Sequence, residues 1–205
     1  MIQSSIDTTT IPVLPGSPSP LRHSAIASRL AGLLGLAVLA VPATPAGVHA
    51  QPAPTAAQVK AAYVYNFANF VTWPASSFDG PSGPLRVCVV GDPEMAPNLE
   101  STFQNETIAA HPVRVQRDPP PADRRRCHIL YLSGSAAVVQ ATLKGLASAP
   151  VLTVGNGNQF LEQGGMLEFV PQGKRIRFDV NLRAATAAGL TLSSQLLQVA
   201  RRVQQ

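Results

Sequence analysis

Three short apolar runs constrain this chain most. They are Leu85–Gly91 (LRVCVVG), Cys127–Leu132 (CHILYL) and Val151–Val154 (VLTV). Each is fenced by turn residues and followed by a stretch suited to a helix. Short runs without polar alternation suit strands buried on both faces, and such strands need helices on both sides. Asp92-Pro93 after the first run starts a helix reaching about Phe103, with Asp92 as cap and proline in the first turn. Ser133 or Ser135 starts another from Ala136 to about Ala147. Strand, helix, strand, helix, strand predicts a largely parallel sheet. Met166–Val170, Pro171–Lys174 and Arg175–Val180 then read as a β-hairpin. On its second strand Ile176, Phe178 and Val180 face one way, and Arg175, Arg177 and Asp179 the other. The expected fold is a single three-layer α/β domain, its mostly parallel sheet flanked by helices, with a C-terminal antiparallel hairpin.

The remaining segments are less regular. Gln58–Trp73 reads as an amphipathic helix that buries Val59, Ala62, Tyr63, Asn66, Phe67, Phe70 and Trp73. Thr55 and Gln58 form its capping box, and Pro74 stops it. Thr107–Arg117 reads as one extended piece. Gly155–Asn158 turns into a short helical piece that ends at Gly164-Gly165. Asn181 or Thr186 starts a short helix stopped by Gly189. Ser193 or Ser194 caps a last helix through Val203.

The first fifty residues differ from this pattern. Arg22 and Arg29 precede an apolar run, Leu30–Val41, which is too short to span a bilayer comfortably. Val48-His49-Ala50 places small residues before Gln51. A positive flank, a short apolar core and a small-residue site form a secretory signal peptide with cleavage near Ala50. Residues 1–50 are thus an address, and residues 51–205 an exported, periplasmic domain. The net charge of +5 is diffuse, and no nucleic-acid-binding motif accompanies it.

Export gives the two cysteines their meaning. Cys88 lies in the first strand and Cys127 opens the second, so neighbouring strands would bring them together under oxidising conditions. A structural disulfide is expected, closing a loop of about 40 residues and contributing roughly 4 kcal/mol in the chain-entropy model. Two buried free thiols and a redox-active pair are the alternatives; the spacing is not Cys-x-x-Cys. His128 adjoins Cys127, but neighbours on a strand point to opposite faces, so no Cys-His nucleophile is expected. His111 is expected at the surface. The sequence gives no reason to expect catalysis, a cofactor or a metal site.

The candidate partner contacts are Tyr65, away from the main apolar face of its helix, the run Arg124, Arg125 and Arg126, and Arg175 and Arg177. The alternative function is small-ligand binding. Its site would lie outside the carboxyl ends of the parallel strands, at Asp92, Ser133 and Asn156.

Several ordered segments also resemble the YfiR-like family of exported proteins. They are Lys60–Pro74 (KAAYVYNFANFVTWP), Leu85–Asp92, Cys127–Ser133, Gly164–Phe169, Arg175–Leu182 and Ala188–Leu197. The resemblance implies a periplasmic α/β regulator without catalysis, which binds and represses the periplasmic part of an inner-membrane diguanylate cyclase and so lowers cyclic-di-GMP. It also implies possible sequestration by an outer-membrane lipoprotein and a homodimer. Cys88 and Cys127 match the family's common disulfide. The second cysteine pair of some members is absent, which sets this chain apart from cysteine-based redox switching.

Overall fold

The computed structural model describes residues 53–157 and 159–205. The expected signal peptide and cleavage point near Ala50 lie outside the described residues. Helix α1 (Ala56–Phe70) starts as the sequence predicts: the Thr55 side chain accepts from the Gln58 N–H, and the Gln58 side chain accepts from the Thr55 N–H. Its end and its face differ from expectation. The chain leaves the helix at Val71 to form β1 (Val71–Thr72). The buried face is Ala61, Val64, Phe67 and Ala68, whereas Ala62, Asn66 and Phe70 are exposed. Small alanines let the helix lie close to the sheet, and the larger Tyr63 sits half-buried at the margin.

Strand β2 (Leu85–Val90) is followed by α2 (Met95–Thr102), which begins two residues later than expected. Asp92 Oδ1 accepts from the Met95 N–H at 3.0 Å. The piece expected to be one extended segment is a tight hairpin, β3 (Thr107–Ile108) and β4 (His111–Arg117). Ala109 and Ala110 turn it with φ of 49° and 70°. This primed-turn geometry is costly for alanine and invisible to turn-residue rules. A 3-10 turn over Pro121–Arg126 leads into β5 (Ile129–Leu132), then α3 (Ala136–Gly145) and β6 (Leu152–Asn156). Residues 159–164 form turns, not the expected helical piece. The predicted hairpin is β7 (Leu167–Gln172) and β8 (Arg175–Asn181). Asn181 caps α4 (Leu182–Ala187); β9 (Thr191–Leu192) then pairs with β1. Helix α5 (Ser194–Val199) stops short of Val203, and the chain re-enters the sheet as β10 (Arg202–Gln204).

The main sheet has eight strands in the order β10-β8-β7-β6-β5-β2-β4-β3. Pairings are parallel from β4 through β2, β5 and β6 to β7, then antiparallel from β7 to β8. Strand alternation sorts the core into two layers. Leu85, Val87, Val89, Ile129, Tyr131, Leu152 and Val154 join α1, α2, α4 and α5 on one face. Cys88, Val90, Leu130 and Leu132 meet Val139, Leu143, Phe160 and Leu161 on the other. The fold is the three-layer α/β arrangement the sequence predicts. No helix among the described residues is long and apolar enough to cross a membrane.

Candidate functional site

A groove of about 620 Å³ opens at the end of the sheet where β2 and β4 begin. Local sequence builds it. Helix α1 contributes Ala68 and Asn69, β1 Val71 and Thr72, and the β3–β4 hairpin Ile108 and Ala109. Trp73 and Phe78 line it between Leu85 and His111. The lining is mostly apolar, and most of it belongs to the α1 motif and the loop after it.

An aromatic stack stiffens this wall. Phe78 lies between His111, at 3.7 Å between ring centroids, and His128, at 4.3 Å. His111, expected at the surface, is half-buried, and its Nδ1 lies 2.7 Å from the Gly83 carbonyl oxygen. His128 is 1% exposed. Its Nδ1 accepts from the Arg86 N–H at 3.0 Å, which places the proton on Nε2, and its carbonyl accepts from Trp73 Nε1 at 3.0 Å. Burial first, and then the Arg86 guanidinium, push the His128 imidazole down to about 4. His128 is therefore a neutral structural side chain at neutral pH. Both residues precede β5 and lie outside the strand; His128 packs against Trp73 and Phe78, whereas Cys127 joins Cys88 in the other core layer.

Cys88 and Cys127 are joined by a disulfide, with both residues buried. It ties β2 to the entrance of β5.

The candidate partner contacts do not converge. Tyr65 is half-buried: its ring packs 5.7 Å from that of Phe103, and its hydroxyl donates to Glu106 Oε2 at 3.2 Å. The three consecutive arginines diverge. Arg124 donates to the Pro119 carbonyl and to Thr142 Oγ1, both at 3.1 Å. Arg125 donates to the Gly145 carbonyl at 2.8 Å, and Arg126 lies 3.8 Å from Asp79. Arg175 and Arg177 line a separate groove beside the N-terminus of α1.

The residues of the ligand-binding alternative are partly linked. Tyr131 donates its hydroxyl to Asp92 Oδ2 at 3.2 Å and accepts from Asn156 Nδ2 at 2.5 Å. Burial raises the Tyr131 hydroxyl above the ordinary phenol range. With its other oxygen on the Met95 N–H, Asp92 has both oxygens engaged. Ser133 is half-buried, and its carbonyl oxygen would lie 2.2 Å from a Cβ placed on Gly91, so the two backbones are in close contact there. A smaller cavity of about 360 Å³ reaches Asn156 but neither Asp92 nor Ser133.

Sequence reasoning missed a buried ionic cluster on the β7–β8 hairpin. Asp179, expected on an outward face, is fully buried and clamped by Arg201 at 2.5 Å and Arg202 at 3.1 Å. Glu168 lies opposite it in register and is 3% exposed. Burial is the main cause that raises the Glu168 carboxyl above its ordinary range. A charged residue on β8 looks solvated until β10 is known to cover that edge of the sheet.

A family model described as YfiR/HmsC-like matches residues 57–201. Among solved structures, a conserved domain protein from Vibrio cholerae O1 biovar eltor str. N16961 aligns with a TM-score of 0.50 and 11% identity. The alignment covers 73% of this chain and 60% of that one, so this chain spans less than two thirds of its length. The ABC domain in complex with L-Trp from Streptococcus pneumonia aligns at a TM-score of 0.41 and 11% identity, covering 58% of this chain and 54% of that one.

Proposed function

Because the chain belongs to the YfiR/HmsC-like family, a regulatory family that acts on diguanylate cyclases from the periplasm, we propose that it binds the periplasmic part of an inner-membrane diguanylate cyclase and represses it. The observation that carries this reading is the family match across residues 57–201. The apolar groove supports it: an open, largely apolar concavity walled by aromatic rings suits a protein side chain better than a charged metabolite.

Repression requires no chemistry from this chain. It requires a higher affinity for the inactive arrangement of the cyclase than for the active one. To turn a cyclase from almost fully active to almost fully inactive, that preference must reach about 10⁴-fold. The disulfide fits an oxidising compartment, and the exported form begins at Gln51. An outer-membrane lipoprotein that sequesters the repressor, and a homodimer, complete the proposed partner set.

Deletion of the gene should raise cellular cyclic-di-GMP while the candidate cyclase is expressed. Asn69→Arg, which places a cation at an exposed position of the groove wall, should raise it similarly, while the protein stays folded and loses capture of the cyclase's periplasmic part. An unchanged nucleotide level in the deletion strain sinks the proposal. N-terminal sequencing of the exported protein checks the start at Gln51.

A further inference from the structure

A second groove, of about 530 Å³, lies at the opposite end of α1. Its floor is apolar: Val59 and Tyr63 from the helix, and Pro171 and Ile176 from the β7–β8 hairpin. The Tyr63 hydroxyl donates to the Ile176 carbonyl at 3.0 Å, which fixes the floor. Its rim is cationic, with Lys174, Arg175 and Arg177 on the hairpin. Among the described residues none of these three stands within ion-pair distance of a carboxylate. Arg177 is partly held by the Val199 carbonyl at 3.3 Å, whereas Lys174 and Arg175 project from the exposed hairpin tip. No aspartate or glutamate lines the groove, and the first turn of α1 carries no acidic residue. The positive end of the helix therefore adds to the three cations without an internal counter-charge.

We infer that this groove docks an acidic polypeptide segment that carries a large apolar side chain among its carboxylates. Charge complementarity supplies the carboxylates, because three unpaired cations on one rim attract a run of negative charge and steer it. The concave apolar floor supplies the side chain, because a flat anionic surface could reach the cations but would leave Tyr63, Val59 and Ile176 uncovered. The inference goes beyond the repression reading and does not rest on it; the two grooves sit at opposite ends of a 15-residue helix.

The test uses the purified protein and a fluorescein-labelled peptide, Glu-Glu-Leu-Glu-Glu-Phe-Glu-Glu, in a polarisation titration. Wild-type protein should bind it, and binding should weaken as salt rises from roughly 0.05 to 0.3 M. Lys174→Glu with Arg175→Glu should weaken binding about tenfold or more, since like charges then face each other. Arg114→Glu with Lys144→Glu makes the same charge change at exposed sites elsewhere and should leave binding nearly intact. Circular dichroism confirms that both double variants fold. Equal loss in the two double variants overturns the inference, because bulk charge then explains the binding. Sedimentation with phosphatidylglycerol vesicles in the absence of peptide binding overturns it too, in favour of a membrane-facing surface.

Discussion

The face of the sheet under α1, α2, α4 and α5 carries a large core in which aromatic rings interlock: Phe67 sits 4.9 Å from Phe178 and 5.8 Å from Phe169 between centroids. The face under α3 carries fewer buried side chains, and one helix covers most of it. That smaller face holds the only disulfide among the described residues, and also a ring locked between two glycines. A Cβ on Gly155 would come within 2.4 Å of the Phe160 ring, and one on Gly165 within 2.2 Å. The difference teaches that burial alone secures the first face. The second adds a covalent staple and close backbone approach, because a thin layer removes less apolar surface from water.

The comparison breaks if the two faces respond alike. The largest expected effect is on the thick face: Phe67→Ala should cost about 3–5 kcal/mol in urea unfolding, because a fully buried ring leaves a cavity. On the thin face, Cys88→Ala with Cys127→Ala should cost about 4 kcal/mol, from a sequence separation of 39. A reductant should destabilise the wild type but not that double variant. A loss below about 1 kcal/mol would show that the thin face holds itself.

His128 gives an effect of intermediate size on the thick side. Its folded pKa of about 4 lies below the ordinary histidine value, so the unfolded chain binds more protons between those two values. Stability should therefore fall as pH drops from about 6.5 to 4, by roughly 3 kcal/mol at most. Protonation also forces Nδ1 to give up the Arg86 N–H. Glu168 works in the opposite sense: its raised pKa favours folding at low pH, with that contribution lost as pH rises through the folded value. The measurement is therefore cleanest in a Glu168→Gln background, where His128→Gln should flatten the acid limb. The smallest effect is Gly155→Ala, about 1–3 kcal/mol from overpacking, partly restored by Phe160→Leu in the same chain. No loss at all would mean that the Phe160 ring has room to swing aside.

Much of this architecture was legible because it is local. The three apolar runs, the Thr55–Gln58 box, the Asn181 cap and the β7–β8 hairpin are each specified within a few residues of sequence. What was missed depends on distant pairing. Val71–Thr72 looks like the last turn of a helix until Thr191–Leu192 arrives to pair with it. The tail after Ala200 looks helical until β8 offers it an edge. The buried face of α1 differs from the expected one because three- and four-residue spacing also fits Ala61, Val64 and Ala68, whose small or branched side chains mark the closest approach to the sheet. The groove at Trp73 and His111 also depends on distant segments: these two residues are 38 positions apart, and no short motif announces it.

The eight-stranded sheet ends on one side in β3, two residues long, and on the other in β10, three residues long. Full-length outer edges would present rows of unsatisfied amides and carbonyls to any passing chain. These stubs pair with only His111 and Pro112 of β4 and with residues 179–181 of β8, so among the described residues 114–117 and 175–177 have no strand on their outer side. Arg202, beside Arg201, draws β10 inward onto Asp179. Both open stretches carry arginines, Arg114 and Arg117 on one side and Arg175 and Arg177 on the other, and like charges there disfavour edge-to-edge pairing of two copies.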